Sequence, residues 1–402
     1  MKKLKWILFI AVSAIIVSCS DNTEEPDVPV VVPAQRTIIA YMDGNNNLSS
    51  NLYSDIQEME RGSANLSPTV NLVVFANISG KKPYIAEMVN GKSVKVREWE
   101  STFFATNPDS MLSVMKWITE KYPAYEYATI FAGHGTGSIV KTDADNDTIP
   151  TTMRRAYAYG WDSNNNSTQK PHWWISPQTL ATVISHLPHM KFVFFDCCLM
   201  QDIEVANHLK RYTDYIIAPV SETPADGAPY GNIVPLLSIT DAEVLCDTII
   251  KTYYDIIKTT SPYKKGICIS ALRTSEIPNL LNVTKTALIE IKDNPNYDAS
   301  KLFDDCIYYY RESLSSWAFS DPLLFDVQSI FYEQSQNTEK NHCLSEETYN
   351  RFTNALNQCV FKKCFDRTWK TSCGIQFYDF DVTAENFGGL SISRETIDNI
   401  IK

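Results

Sequence analysis

The chain contains the run Lys191-Phe192-Val193-Phe194-Phe195-Asp196-Cys197-Cys198-Leu199-Met200. Its first five residues are mostly apolar and of types that favour β-structure, and an acid and two cysteines follow them. The run therefore predicts a buried strand that delivers a thiol to its carboxyl end. In open α/β sheets, binding and chemistry are placed at the carboxyl ends of the strands.

Similar apolar runs occur on both sides of this strand and alternate with helical patterns. Strands are predicted at residues 37–42, 70–77, 127–132, 192–196 and 215–220, with a hairpin at 84–98 that turns at Asn90-Gly91. Helices are predicted at residues 48–61, 109–121, 176–187 and 199–211. This alternation predicts an α/β fold in which helices sandwich a mainly parallel sheet.

Helical patterns dominate after about residue 240. Helices are predicted at residues 241–259, 276–292, 301–313, 322–335 and 345–360, and two further strands at 266–271 and 374–380. We therefore expect residues 36–240 to form the α/β core. Residues 241–402 are expected to form a helix-rich C-terminal portion that adds late strands to the main sheet.

The N-terminus has the pattern of an export signal. Three lysines precede an apolar run at residues 6–17, which is shorter than the roughly 20 residues that span a bilayer. The run ends Ile16-Val17-Ser18-Cys19, which resembles a bacterial lipoprotein cleavage box. We expect a signal peptide at residues 1–18, a lipidated Cys19 and a flexible tether to residue 35. The alternative is a secreted protein with an incidental cysteine.

Ser20 after the cysteine resembles an outer-membrane sorting signal, and the acids that follow resemble a surface-export tag of some Gram-negative lipoproteins. The resemblance implies an exported lipoprotein at the outer membrane or cell surface of a Gram-negative bacterium. The net charge is −11, and no basic patch is visible, which argues against a nucleic-acid partner. Ten cysteines leave an odd number once Cys19 is set aside, which indicates a free or reactive thiol. The late cysteines (Cys343, Cys359, Cys364 and Cys373) fit disulfides or free thiols better than zinc, because no C-x-x-C spacing is present.

A histidine and a cysteine each follow a predicted strand. His134 lies beyond the strand at 127–132, and Cys198 lies beyond the strand at 192–196. If these strands are neighbours, both side chains emerge at one sheet edge, where an imidazole activates a thiol. The helix predicted from residue 199 would add its positive dipole end, and Gly135 and Gly137 would let the backbone approach a substrate. The alternatives are a structural histidine and a cysteine that serves as a small core residue.

Five stretches resemble motifs of the clostripain-like cysteine peptidases, within the wider caspase, gingipain and legumain group. Four of them follow the family order between about residues 36 and 240, and the fifth lies near residue 375. The stretches are 41–48 (YMDGNNNL), 131–137 (FAGHGTG), 195–206 (FDCCLMQDIEVA), 221–230 (SETPADGAPY) and 372–378 (SCGIQFY).

The resemblance implies a caspase-like fold and a cysteine endopeptidase that cleaves after Arg or Lys through a Cys-His dyad and an acyl-enzyme. It places the nucleophile at Cys198 and the general acid and base at His134. Cys197 stands where the family has a small residue, which burial behind the site or a redox role would explain. The implied oxyanion donors are the backbone N–H groups of Gly135 and Cys198.

The resemblance also implies acids that bind the basic side chain of the substrate. Asp196 matches one such position, and Asp226 is a candidate for a second. The alternatives are an N-cap role for Asp196 at the helix 199–211 and a plain turn acid for Asp226.

Relatives are often matured by self-cleavage after a basic residue between the histidine and the cysteine. Arg154 and Arg155 are the candidates, because they lie in a polar loop at residues 141–172. The chemistry requires no cofactor, but calcium stays open because some relatives depend on it. Asp143, Asp145 and Asp147 resemble the start of a calcium loop that lacks the expected later Gly and Glu, which leaves only a looser calcium site.

The expected partners are peptide or protein substrates with basic residues, and a membrane that holds the lipid anchor. Two other functions fit the same sequence. One is a non-catalytic binding lipoprotein on a peptidase-like scaffold. The other is a cysteine hydrolase that acts on a non-peptide amide.

Overall fold

A mainly parallel β-sheet lies at the centre of the protein, as the apolar strands predict. The computed structural model describes residues 33–141, 155–156, 159–160, 162, 174–260, 267–315, 318–336, 342–365 and 386–401. In these residues the strands are β1 (Ala34–Gly44), β2 (Val70–Ile78), β3 (Tyr84–Val89), β4 (Lys92–Glu98), β5 (Ala124–Ala132), β6 (Val140–Lys141), β7 (Arg155–Ala156), β8 (Met190–Asp196), β9 (Thr213–Pro219), β10 (Ile269–Arg273), β11 (Tyr308–Ser315), β12 (Ala318–Asp326), β13 (Val360–Cys364) and β14 (Ser391–Ser393). The helices are α1 (Ser49–Gly62), α2 (Pro108–Lys121), α3 (Pro177–Ser185), α4 (Ile203–Leu209), α5 (Tyr230–Leu236), α6 (Ala242–Thr260), α7 (Ile277–Asp293), α8 (Val327–Ser335), α9 (Glu346–Cys359) and α10 (Arg394–Ile401).

The main sheet has nine strands in the order β13-β10-β9-β8-β5-β1-β2-β3-β4. The five central strands, from β9 to β2, are parallel to one another. Antiparallel pairs close both sides, with β10 and β13 at one edge and the hairpin of β3 and β4 at the other. The helices therefore have to connect parallel neighbours across the two faces of the sheet.

Each face of the sheet carries its own apolar core. Alternate residues of β1 enter opposite cores: Ile39 and Tyr41 pack on one face, and Ile38, Ala40 and Met42 on the other. Helices α1, α5 and α6 cover the second face, whereas α2, α3, α4 and α7 to α10 cover the first. Burial on both sides explains why these strands read as continuous apolar runs.

The predicted hairpin turns at Asn90 and Gly91, whose φ angles are 51° and 74°. Positive φ at two successive residues is the geometry of the tight hairpin turn that an Asn-Gly pair favours. This prediction is confirmed.

The helix predicted at 301–313 is wrong, and the helix predicted at 322–335 is right only in its second half. Residues 308–315 form strand β11, and only Val327–Ser335 is helical, because β12 occupies 318–326. Three consecutive tyrosines begin β11. Aromatic residues favour strands, and this preference outweighs the helical spacing of the apolar residues in this segment. Strands β11, β12 and β14 form a small separate sheet.

The late part of the chain joins the main sheet through β10 and β13. The strand predicted at 266–271 is present as β10. Strand β13 follows α9 and is not predicted from the sequence, apart from Val360, which the sequence places at the end of the helix 345–360. The strand predicted at 374–380 lies outside the described residues. From Pro33 onward the chain groups into one compact unit. None of the described helices combines the length and the apolar character needed to cross a membrane.

Candidate active site

The pairing of β5 with β8 brings His134 and Cys198 to the same sheet edge. The two strands are parallel neighbours, and their last residues, Ala132 and Asp196, are in register. His134 lies two residues beyond Ala132, and Cys198 lies two residues beyond Asp196. The N–H of Gly133 donates a hydrogen bond to the Asp196 carbonyl at 3.4 Å, which extends the ladder into the site.

The glycines after His134 allow its loop to pack directly on the cysteine loop. A Cβ atom on Gly135 would lie 2.5 Å from the Cys198 carbonyl oxygen, and one on Gly137 would lie 2.5 Å from the Leu199 carbonyl oxygen. Gly137 also has a φ of 61°, a conformation that L side chains rarely adopt. The sequence predicts that these glycines let the backbone approach a substrate. In the structure the close approach is between the histidine loop and the cysteine loop.

The imidazole of His134 contacts an asparagine of the turn before α1. His134 Nε2 lies 2.7 Å from Asn47 Oδ1, and the His134 side chain is partly buried beside the Trp174 ring. An amide oxygen only accepts hydrogen bonds, so this contact favours the tautomer with hydrogen on Nε2. The basic lone pair of a neutral imidazole then resides on Nδ1.

The two asparagines that precede Asn47 fix the turn. Asn46 Nδ2 donates to the Asp43 carbonyl, and Asn46 Oδ1 accepts from the Leu48 N–H at 2.8 Å. Asn45 Nδ2 donates to Asp162 at 2.7 Å. The three asparagines therefore have separate contacts, with Asn47 the one that reaches the histidine.

The two adjacent cysteines have different environments. Cys197 is buried and donates from Sγ to the Phe131 carbonyl at 3.2 Å. Burial raises the pKa of Cys197 well above its usual value, with further repulsion from Asp196 and Cys198. Cys197 is therefore an unreactive thiol beneath the site.

Cys198 is partly exposed and faces Thr223. The Thr223 N–H donates to Cys198 Sγ at 3.3 Å, and Thr223 Oγ1 lies 3.6 Å from the same sulfur. Burial raises the pKa of Cys198, whereas the two Thr223 contacts lower it. A base is therefore needed to take the proton of this thiol at neutral pH.

The helix after Cys198 starts later than the sequence indicated. Helix α4 begins at Ile203, and the Asp202 side chain caps it by accepting from the Glu204 and Val205 N–H groups at 2.9 and 3.3 Å. Leu199, with a φ of 64°, belongs to a sharp turn that separates the thiol from the helix. The expected dipole stabilisation at Cys198 is therefore wrong, and so is the alternative that Asp196 caps this helix.

Asp196 is buried behind the cysteine turn and has its own set of donors. Its Oδ2 accepts from the Ala228 N–H at 2.9 Å and the Tyr230 hydroxyl at 3.0 Å, and its Oδ1 accepts from the Tyr253 hydroxyl at 2.7 Å. Burial raises the pKa of Asp196, and these hydrogen bonds lower it. Asp226 lies two residues before Ala228 and is exposed.

Other predicted site residues lie elsewhere or outside the described residues. Arg155 is in the short strand β7, whose backbone pairs with β6. Outside the described residues lie Cys19, Asp143, Asp145, Asp147, Arg154, Cys373 and the stretch 372–378. Where the structure describes the chain, no cysteine forms a disulfide, and no group of three or more His, Cys, Asp or Glu residues is arranged to hold a metal.

Sequence reasoning missed the roles of Asn47 and Thr223. Both belong to stretches that were recognised as motifs, so the signal was present, but the sequence does not show which side chain of a turn faces the site. It also missed the support from the end of the chain. The Gln201 carbonyl accepts from the Ser391 N–H at 2.9 Å, so β14 packs against the cysteine turn.

Three solved structures of C11 proteases are similar to this chain along most of its length. The inactive zymogen C11 protease from Parabacteroides distasonis is 19% identical, with a TM-score of 0.67, over 92% of this chain and 95% of its own. Iotapain, a secreted C11 cysteine protease from Bacteroides thetaiotaomicron, is 24% identical, with a TM-score of 0.69, over 90% and 94%. A secreted C11 cysteine protease from the same organism, in complex with an irreversible peptide inhibitor, is 22% identical, with a TM-score of 0.66, over 90% and 92%.

At these identities the likeness shows the fold, an α/β sheet covered by helices as in these C11 proteases. No curated protein matches the sequence. The sequence model of the clostripain family matches residues 40–371, which include both strand ends of the candidate site. Because this match spans most of the chain, the protein belongs to the clostripain family of C11 peptidases.

Proposed function

We propose that the protein is a cysteine endopeptidase that cleaves after Arg or Lys through Cys198 and His134. The observation that carries the proposal is the register of β5 and β8, which places these residues at matching positions beyond aligned strand ends. The burial of Cys197 leaves Cys198 as the thiol that a substrate can reach.

In the proposed reaction, His134 takes the proton of Cys198, and the sulfur forms a bond to the scissile carbonyl carbon. The backbone N–H groups of Gly135 and Cys198 stabilise the oxyanion. His134 then gives its proton to the leaving amine as the C–N bond breaks, which leaves a thioester. Water loses a proton to His134 and attacks the thioester, and the thiol leaves with that proton.

Asp196 and Asp226 supply the preference for a basic side chain in this proposal. Asp196 lies two residues before the nucleophile and Asp226 lies in the loop whose Thr223 contacts the thiol. A carboxylate opposite a guanidinium discriminates strongly against uncharged side chains, because an uncharged side chain would leave the acid unpaired.

Maturation by self-cleavage at Arg154 or Arg155 extends the proposal. Arg155 lies in β7 and pairs through its backbone with Lys141 of β6. A cut after Arg155 would sever this ladder. The similar zymogen from Parabacteroides distasonis supports such a step.

The proposed location is the outside of the cytoplasmic membrane, as a lipoprotein anchored through Cys19. The lipoprotein-like signal supports it, and the Bacteroides thetaiotaomicron relative is a secreted protein. Mass spectrometry of the purified protein would report the lipid on Cys19 and the site of any self-cleavage.

The activity is tested with matched peptides that carry Arg, Lys or norleucine at the cleavage position. Wild type is expected to cleave the Arg and Lys peptides, Cys198→Ala to lose about 10⁴-fold or more of kcat/KM, and Cys197→Ala to retain most activity. Equal activity of wild type and Cys198→Ala would contradict the proposal. A wild type that is unreactive towards an electrophilic peptide with a basic side chain would instead indicate a binding protein.

A further inference from the structure

A third carboxyl group lies next to Asp196, on helix α1. Asp55 is 2% exposed, and its Oδ2 atom is buried with no hydrogen-bond partner among the described residues. This oxygen faces Gly227: a Cβ atom built there would lie 2.8 Å from Asp55 Oδ2. A buried acceptor without a partner is rare in folded proteins and requires an explanation.

The same point beside Gly227 lies 3.1 Å from Asp196 Oδ2. Asp55 and Asp196 therefore flank one position, directly after Asp226 in the chain. Gly227 has a φ of 65° and no side chain, so its backbone packs directly against both carboxyl groups. A side chain at 227 would press on both carboxyl groups and would also strain the backbone.

The titratable groups whose charges act on Asp55 are acids and phenols. They are Asp196 from β8, Glu58 from α1, Asp226 from the loop before α5, Tyr230 from α5 and Tyr253 from α6. Among the described residues, no lysine, arginine or histidine forms an ion pair with Asp55, Asp196 or Asp226. The cluster therefore lacks the cation that buried carboxylates normally require.

We propose that Asp55 is a further specificity-determining residue, which acts behind Asp196 and ionises when a basic substrate side chain enters the pocket. The inference rests on the proposed cleavage after Arg or Lys and adds a residue to it. Asp55 is not required to touch the substrate, because its negative charge acts through the shared space beside Gly227.

The state of Asp55 in the empty pocket follows from its surroundings. Burial, with repulsion from Asp196, Glu58 and Asp226, raises the pKa of Asp55 to about 9, so the group is neutral at pH 7. A guanidinium or ammonium group nearby favours the carboxylate and lowers this pKa. Binding of a basic side chain is therefore expected to release a proton to the solvent.

The first experiment measures that proton directly. Titration calorimetry measures the binding of an Arg peptide to the Cys198→Ala protein at pH 7.5, in buffers that differ in ionisation enthalpy. We expect release of roughly one proton per peptide bound, because an acid with a pKa near 9 is almost fully protonated at this pH. Asp55→Asn in the same background should abolish the release, and Glu58→Gln, which removes a neighbouring acid of the same helix, should retain it.

The second experiment compares an Arg peptide with a norleucine peptide in kinetics. Asp55→Asn should lower kcat/KM for Arg about 10-fold or more and change kcat/KM for norleucine less than about threefold, because only the cationic side chain interacts with the charge. The wild-type ratio of Arg to norleucine should rise with pH up to about 9. Cleavage of the norleucine peptide also reports that the variant is folded.

Two results would overturn the inference: binding of the Arg peptide without proton release, or an unchanged Arg-to-norleucine ratio in Asp55→Asn. The calorimetric measurement keeps its meaning even if Asp55→Asn fails to fold, because it first uses a protein with Asp55 intact. Failure of the proposed function is distinct. In that case wild type shows no preference for Arg or Lys, or Cys198→Ala stays active.

Discussion

At the scale of single residues, Asn47 is the side chain that orients the catalytic histidine in our proposal. Its Oδ1 lies 2.7 Å from His134 Nε2, although Asn47 itself is exposed. Without this acceptor, the imidazole loses the contact that favours hydrogen on Nε2, so other tautomers and orientations become more accessible. The residue would therefore act on catalysis through His134 and leave substrate binding unaffected.

We expect Asn47→Ala to lower kcat about 10-fold or more with little change in KM, because a misoriented base transfers protons poorly. Steady-state kinetics and the pH profile of kcat measure the effect. Asn51→Ala, on the first turn of the following helix, is the control and should behave as wild type. Unchanged kcat in Asn47→Ala would show that the contact has no role in the reaction.

Gly135 offers a second test at this scale. A Cβ atom there would lie 2.5 Å from the Cys198 carbonyl oxygen and 2.8 Å from Cys197 Cβ. Gly135→Ala should separate the two loops, lower the free energy of unfolding by roughly 1–3 kcal/mol, and abolish cleavage.

Gly231→Ala is the matched control, because a Cβ atom at Gly231 meets nothing within 4 Å. Its unfolding free energy should change by less than about 1 kcal/mol. Thermal unfolding in the Cys198→Ala background avoids self-digestion. A Gly135→Ala enzyme that retains activity would mean that the loops have room to move apart without loss of function.

At the scale of elements, the start of α4 is held by Asp202, which follows the cysteine turn. Asp202 caps the helix and also contacts Ser391 of β14, with the Ser391 hydroxyl 3.2 Å from Asp202 Oδ2. Burial and the neighbouring Glu204 raise the pKa of Asp202 to about 7. Asp202 thus links the residues directly after the cysteine turn to β14, near the end of the sequence.

Asp202→Ala should lower the free energy of unfolding by about 1–2 kcal/mol, since it removes both cap hydrogen bonds. Asp202→Asn keeps an oxygen that accepts from the same N–H groups, so its free energy of unfolding should fall by about 0.5 kcal/mol or less. Denaturant unfolding compares the two. Equal losses in both variants would show that the charge of Asp202, and not the cap, is what stabilises the turn.

At the scale of the whole molecule, the cluster of Asp55, Asp196 and Asp226 lowers the free energy of unfolding of the protein without substrate. Asp55 has a folded pKa of about 9 against an ordinary value of 3.8. The folded state keeps a proton that the unfolded chain releases, so raising the pH from about 4 to about 9 favours unfolding. In our proposal, a bound cationic side chain lowers the pKa of Asp55 and removes this effect.

We therefore expect the melting temperature of the Cys198→Ala protein to fall as pH rises through this range, with one proton contributing at most about 1.4 kcal/mol per pH unit. Asp55→Asn should flatten that dependence and be more stable at pH 8. Scanning calorimetry at several pH values provides the comparison. A parallel pH dependence in both proteins would mean that Asp55 is already ionised in the folded state.

Much of the architecture could be predicted from local patterns. The apolar runs gave β1, β2, β5, β8 and β9, and the Asn-Gly pair gave the hairpin turn, because these depend on residues close in sequence. The region after residue 300 was predicted less well. There the aromatic run of β11 and the residues of β13 become strands because partners distant in sequence are available to pair with them.

The sequence by itself determined that a histidine and a cysteine each follow a buried strand, and that the chain belongs among the clostripain-like peptidases. Only the tertiary structure decided that β5 and β8 are neighbours in register, which thiol is buried, and where α4 begins. It alone placed Asp55 of the first helix beside Asp196 of a distant strand. Contacts of this kind depend on how the elements pack, and no local spacing in the chain encodes them.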